Sequence, residues 1–63
     1  MYSYIVEFVD DDSKPIHLQN VENWIVYAND VEPALKKARK QPSTYTTIRS
    51  ISCIETDQIW FVD

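Results

Sequence analysis

The side chains best suited to nucleophilic or base chemistry near neutral pH are His17 and Cys53, and the chain has one of each type. A Cys–His pair would need the fold to bring them together, with a third group to orient the imidazole and donors for an oxyanion. Nothing near either residue supplies that pattern. His17 reads as a partly exposed strand histidine, and Cys53, set among Ile51, Ser52 and Ile54, reads as a small buried hydrophobe. The chain also has no glycine, and phosphate-cradling loops and dinucleotide turns depend on glycine for close backbone approach. The expectation is a protein without catalytic residues and without a cofactor.

The run Asp10-Asp11-Asp12 is the densest charge in the sequence. Hard cations take carboxylate oxygens, but a calcium loop alternates its ligands, turns on a glycine and closes with a distal Glu. None of these is present, so the run reads as a solvated acidic turn with a local negative field and no metal site. Lys36, Lys37, Arg39 and Lys40 form the opposite cluster. Nucleic-acid-binding domains of this size usually carry net positive charge; here six basic residues stand against ten acidic ones, for a net charge of −4 and a pI near 4.7. The cluster therefore reads as a solvated helix face with ion pairs such as Glu32–Lys36, and no direct nucleic-acid contact is expected.

These groups are positioned by short elements with clear boundaries. Tyr2 to Val9 alternates with period two and is rich in β-branched and aromatic residues, a strand signal. Asp10 to Pro15 is turn chemistry. A second extended run is expected from Ile16, with a bulge or short loop near Asn20 to Asn23, continuing through Trp24 to Ala28. Asp30 is a good N-cap, Glu32 suits the positive first turn, and Pro33 is tolerated there. Val31, Ala34, Leu35 and Ala38 then make one narrow apolar stripe, and Pro42 stops the helix. Ile48 to Glu55 is a third strand whose isoleucines at 48, 51 and 54 break strict alternation, which predicts a bulge or register change. Glu55 to Gln58 turns into a last strand, Ile59 to Val62. The order is β-β-α-β-β: an α+β fold, with a small antiparallel sheet of about four strands and one helix on a face.

A chain of 63 residues makes a single domain, residues 1–63. A domain this small is marginally stable and usually adds a disulfide framework, a metal or a partner subunit. One cysteine rules out an internal disulfide. The N-terminal stretch Met1 to Glu7 has no basic region, and no apolar run approaches the ~20 residues that span a bilayer. A soluble, cytoplasmic protein that does not engage membranes is expected.

Two Trp, four Tyr and two Phe are more large side chains than one sheet and one short helix can hide. The strand Ile59-Trp60-Phe61-Val62 is apolar on both faces, so one face needs a cover. Either the sheet curls under a loop, or the face is a surface for dimerisation or target binding. Trp24, Tyr27, Trp60 and Phe61 are the candidate protein-binding residues, and Asp10, Asp11 and Asp12 are candidates to steer the encounter. With its size, its acidity and stretches such as Trp24-Ile25-Val26-Tyr27-Ala28-Asn29-Asp30, the chain resembles, at the level of a class, the small proteins that phages encode to disable host enzymes or defence systems. That resemblance implies a non-enzymatic inhibitor whose partner is another protein, a host enzyme or defence component, and a homodimer is expected besides. Two alternatives remain open. In one, carboxylates at Glu7, Asp10, Asp11, Asp12 and Glu22 mimic DNA phosphates; in the other, the chain is a small structural or assembly protein that oligomerises through a sheet edge.

Overall fold

The computed structural model describes residues 1–62. Strand β1 (Tyr2–Val9) is followed by an irregular connection, strand β2 (Val21–Ala28), helix α1 (Val31–Ala38), strand β3 (Thr47–Cys53) and the short strand β4 (Ile59–Phe61). All pairings are antiparallel, in the spatial order β2-β1-β3-β4. The fold is therefore the expected small α+β arrangement, with β1 in the interior of the sheet.

β1 and β2 pair without interruption, from Tyr2 opposite Ala28 to Val9 opposite Val21. The expected bulge near Asn20 to Asn23 is absent, and the extended run does not begin at Ile16. Ile16–Leu18 forms a single 3₁₀ turn instead, with Leu18 N–H donating to Pro15 O at 2.9 Å. Pro15 has a fixed φ and no N–H, so it starts a tight turn more readily than it joins a ladder. His17 accordingly sits exposed in this turn and not in a strand.

The irregularity foreseen in the third strand is present. Glu7 faces Ser50 while Phe8 faces Ile48, so Arg49 is the extra residue of a bulge. The insertion lets both Ile48 and Ile51 reach the core across a three-residue spacing that a regular strand would split between faces.

Helix α1 opens as expected. Asp30 Oδ1 accepts from Val31 N–H at 2.7 Å, and Pro33 falls in the first turn, where its missing N–H has no intrahelical role. The α-helix ends at Ala38, earlier than Pro42 suggests. Lys40 and Gln41 N–H groups instead bond three residues back, to Lys37 and Ala38 carbonyls, because a residue before proline is driven out of the helical region. Ala34 and Ala38 are buried, and these small side chains let the helix lie close on β1, β2 and β3.

The core lies between helix and sheet: Tyr4, Val6, Phe8, Val26, Ala28, Ala34, Ala38, Ile48, Ile51 and Cys53, flanked by half-buried Trp24, Val31, Leu35, Tyr45, Trp60 and Val62. The Cα extents of 33 × 23 × 16 Å leave room in the thin dimension for one sheet and one helix layer, about 10 Å apart. No helix among the described residues is long and apolar enough to cross a membrane.

Candidate protein-binding face

Strand alternation assigns each aromatic residue to a side of the sheet. Trp24 pairs with Val6 and Trp60 with Ile51, which puts both tryptophans on the helix side. Trp60 lies 6.3 Å from Tyr4, centroid to centroid, with the rings tilted by 47°. Trp24 Nε1 donates to Glu22 Oε2 at 2.8 Å, and the same oxygen accepts from Thr44 N–H at 2.9 Å. These bonds, the Trp24 one foremost, hold the Glu22 carboxyl below its ordinary range. Both tryptophans are thus tied into the flank of the core.

Tyr27 and Phe61 lie on the opposite side, which no helix covers. Register places one residue from each strand with them: Ile25 is opposite Ile5, Ile5 is opposite Ser52, and Ser52 is opposite Ile59. Ile25, Tyr27, Ile59 and Phe61 are exposed by 55%, 56%, 59% and 78%. Ile5 is half-buried between them. Ile54 continues the face beyond β3, where its N–H donates to Ser3 O, and it is also exposed. Ile5, Ser52, Cys53, Ile54, Asp57 and Ile59 line an open cavity of about 260 Å³ at this corner. Ile5, Ile25 and Ile59 were not among the sequence-derived candidates. Their signal lay in the odd-numbered parity of β1, and it became readable only once the uninterrupted β1–β2 register was known.

One end of this face is closed. Val9 shares the open-side parity yet is fully buried and stands apart from the main core. The 10–20 connection folds over that end: Arg49, projected by the bulge, donates to both Gln19 Oε1 of the connection and Glu7 of β1. Within the four strands, Glu7 and Arg49 are the charged side chains on this side, and they neutralise each other.

The acidic run sits at this closed end and is structured. Asp10 accepts from Asn20 N–H at 3.1 Å and Asn20 Nδ2 at 2.8 Å, with Lys14 Nζ at 3.4 Å. Chiefly through the Asn20 side chain, its pKa is lowered to about 2. Asp11 Oδ1 accepts from the Ser13 hydroxyl at 2.6 Å and from its N–H at 3.0 Å, which also lowers its pKa. Asp12 is exposed. The candidate residues therefore fall into three places: Tyr27 and Phe61 on the open face, Trp24 and Trp60 beneath the sheet, and Asp10 to Asp12 at its rim.

Cys53 lies level with Tyr4, near the start of β1, whereas His17 belongs to the connection that leaves Val9. Five strand residues separate those levels, about 17 Å at 3.3 Å per residue. The thiol is buried and its nearest polar partner is Glu55 Oε1 at 3.7 Å. Among the described residues no group of three or more His, Cys, Asp or Glu is placed to hold a metal ion. On the helix, the expected Glu32–Lys36 pair does not form; the ion pairs among the described residues are Lys14–Asp10 and Arg49–Glu7. Lys37 instead donates to the carbonyl of Tyr27 on the outer edge of β2. Comparison of the chain with protein-family models, curated proteins and solved structures gives no match.

Proposed function

We propose that this chain is a non-enzymatic binding protein whose contact surface is the open face of its sheet, and that it acts in the cytoplasm as an inhibitor by occupying a surface of a larger protein. The observation that carries the reading is the exposure of Ile25, Tyr27, Ile59 and Phe61 on one side of a sheet whose other side holds the main core. Aromatic and aliphatic side chains held on strands bind at low entropic cost, because the backbone is already fixed. The acidic rim at Asp10 to Asp12 adds a field that speeds encounter with a basic surface.

The DNA-mimic alternative has less support. Mimicry needs carboxylates free to stand in for phosphates, whereas Glu7, Asp10, Asp11 and Glu22 are each engaged by neighbours.

Binding of a captured target is the test. With the chain immobilised as bait, Tyr27→Ser/Phe61→Ser should lose a target that the wild type retains. The rim variant Asp10→Asn/Asp11→Asn/Asp12→Asn should retain it, with slower association. Raising salt should weaken the contact only slightly, since an apolar contact is little screened. Loss of the target by the rim variant alone, with steep salt dependence, would overturn the reading. Tyr27 and Phe61 are exposed, so the double variant should still fold, and a circular-dichroism melt checks that it does.

A further inference from the structure

We propose that a second copy of this chain covers the open face, so that two sheets pack face to face in a symmetric dimer. The inference rests on the binding reading above and names what occupies the face when no target is present.

Area is the first argument. The exposed parts of Ile25, Tyr27, Ile54, Ile59 and Phe61 amount to on the order of 500 Å² of apolar surface, the upper end of what a monomer leaves open. Two such faces together bury on the order of 1,000 Å² from these side chains alone, the threshold for a specific interface, before any polar neighbour is counted. The need for a cover is intrinsic as well. The large side chains that are fully buried number four, Phe8, Ile51, Val6 and Val9, and the only cysteine is free. A domain with so little core gains most from a subunit that is always present at its own concentration.

Charge is the second argument. A molecule of net charge −4 repels its copy unless the contact surface is neutral. Within the strands this face carries the mutually paired Glu7 and Arg49, and the acidic run lies at the rim.

Shape is the third. Along the strands the face has three levels: Tyr27–Ser3–Ile54, Ile25–Ile5–Ser52–Ile59, and Asn23–Glu7–Ser50–Phe61. The two large rings therefore stand at diagonal corners, Tyr27 on the β2 edge and Phe61 on the β4 edge. A two-fold axis lying between the sheets, along the strands or across them, brings each ring over a corner that has none. With the axis along the strands, Tyr27 of one copy meets the cavity lined by Ile54, Ile59 and Asp57 on the other, while Phe61 meets Asn23 and Ile25. Self-complementarity of this kind is what an isologous contact requires.

Sedimentation equilibrium and concentration-dependent melting test the proposal. The wild type should have about twice the 7.4 kDa chain mass at concentrations of tens of micromolar, and its Tm should rise by about 4 °C per tenfold concentration. Phe61→Lys and Ile59→Lys, both at exposed positions, should remain folded and weaken association at least tenfold. A folded wild type that stays at 7.4 kDa at hundreds of micromolar overturns the proposal. So does a dimer that tolerates both lysines, since such a dimer does not pair through this face. A monomeric wild type whose target capture still depends on Tyr27 and Phe61 removes the second copy and leaves the binding function standing.

Discussion

Asp10 is the side chain on which the 10–20 connection hangs. Its carboxylate closes the connection through Asn20 and Lys14, and its own N–H donates to Asn20 O at 3.1 Å. Its pKa of about 2 lies below that of an unfolded aspartate, about 3.9, so the folded state favours the ionised form. The stabilisation is complete above the unfolded value and disappears as pH falls from about 4 through about 2. The lowered carboxyls of Asp11, Glu22 and Glu55 act in the same direction. Asp10→Ala should melt at lower temperature than the wild type at neutral pH, and the two curves should converge at the acid end of that window. Melting temperatures from pH 6 to pH 2 check this; parallel curves would show that the carboxylate does not couple to folding. The connection also buries Val9 and orients Gln19 toward Arg49, so its loosening should uncover one end of the sheet.

At the scale of elements, the bulge at Arg49 decides which side chains of β3 face inward. Removing Arg49 would leave Ile48 two residues from Ile51, so that a regular strand would keep both facing the core, with Phe8 still opposite Ile48. It would also leave Glu7 without its partner. A chain lacking Arg49 should therefore fold with an unbroken β1–β3 ladder, as read by circular dichroism, at a Tm lowered like that of Arg49→Ala, which keeps the bulge and loses the same contacts to Glu7 and Gln19. A deletion variant that is unfolded where Arg49→Ala is folded would show that the register depends on the bulge itself. The bulge could be foreseen because isoleucines at 48, 51 and 54 fit no single parity, and the cap at Asp30 because its chemistry is local. The 3₁₀ turn was hidden because Ile16 and Leu18 have the alternation of a strand and yet are exposed by 74% and 58%. The end of the helix was misjudged because proline acts on the residues before it as well as on its own position. The binding face was only half legible. From Trp24 to Ala28 nearly every residue is apolar, so composition cannot say which of Trp24 and Tyr27 points outward; pairing with β1 decides it.

For the whole molecule, the division of labour between two sides of one sheet is the main physical fact. One side holds the core and both tryptophans; the other holds a neutral apolar surface with acids at one end. The acidic run at one end of that side disfavours irregular association there and leaves the neutral centre open for a defined contact. This separation also makes the surface separable by mutation. Under the proposed function, substitutions at Tyr27, Ile59 or Phe61 should affect binding, and substitutions at Trp24 or Trp60 should affect how well the molecule holds together.

The first strand of the chain lies in the middle of its sheet, with an early neighbour in β2 and a late one in β3. Formation of the β1–β2 hairpin needs only an 11-residue loop to close between Val9 and Val21, a modest entropic barrier. The second edge of β1 must wait for Thr47–Cys53 to arrive from beyond the helix. Folding should therefore begin in the hairpin and finish with the docking of β3 and β4. In stopped-flow experiments Val26→Ala should chiefly slow refolding. Ile51→Val, which removes one buried methyl group at a cost of about 1 kcal/mol, should chiefly accelerate unfolding. The opposite pattern would place the nucleus at the long-range pairing. Between those two events half of the central strand has an unsatisfied edge, so this small protein should be most prone to mispairing while it is being made and least so once its last strands are in place.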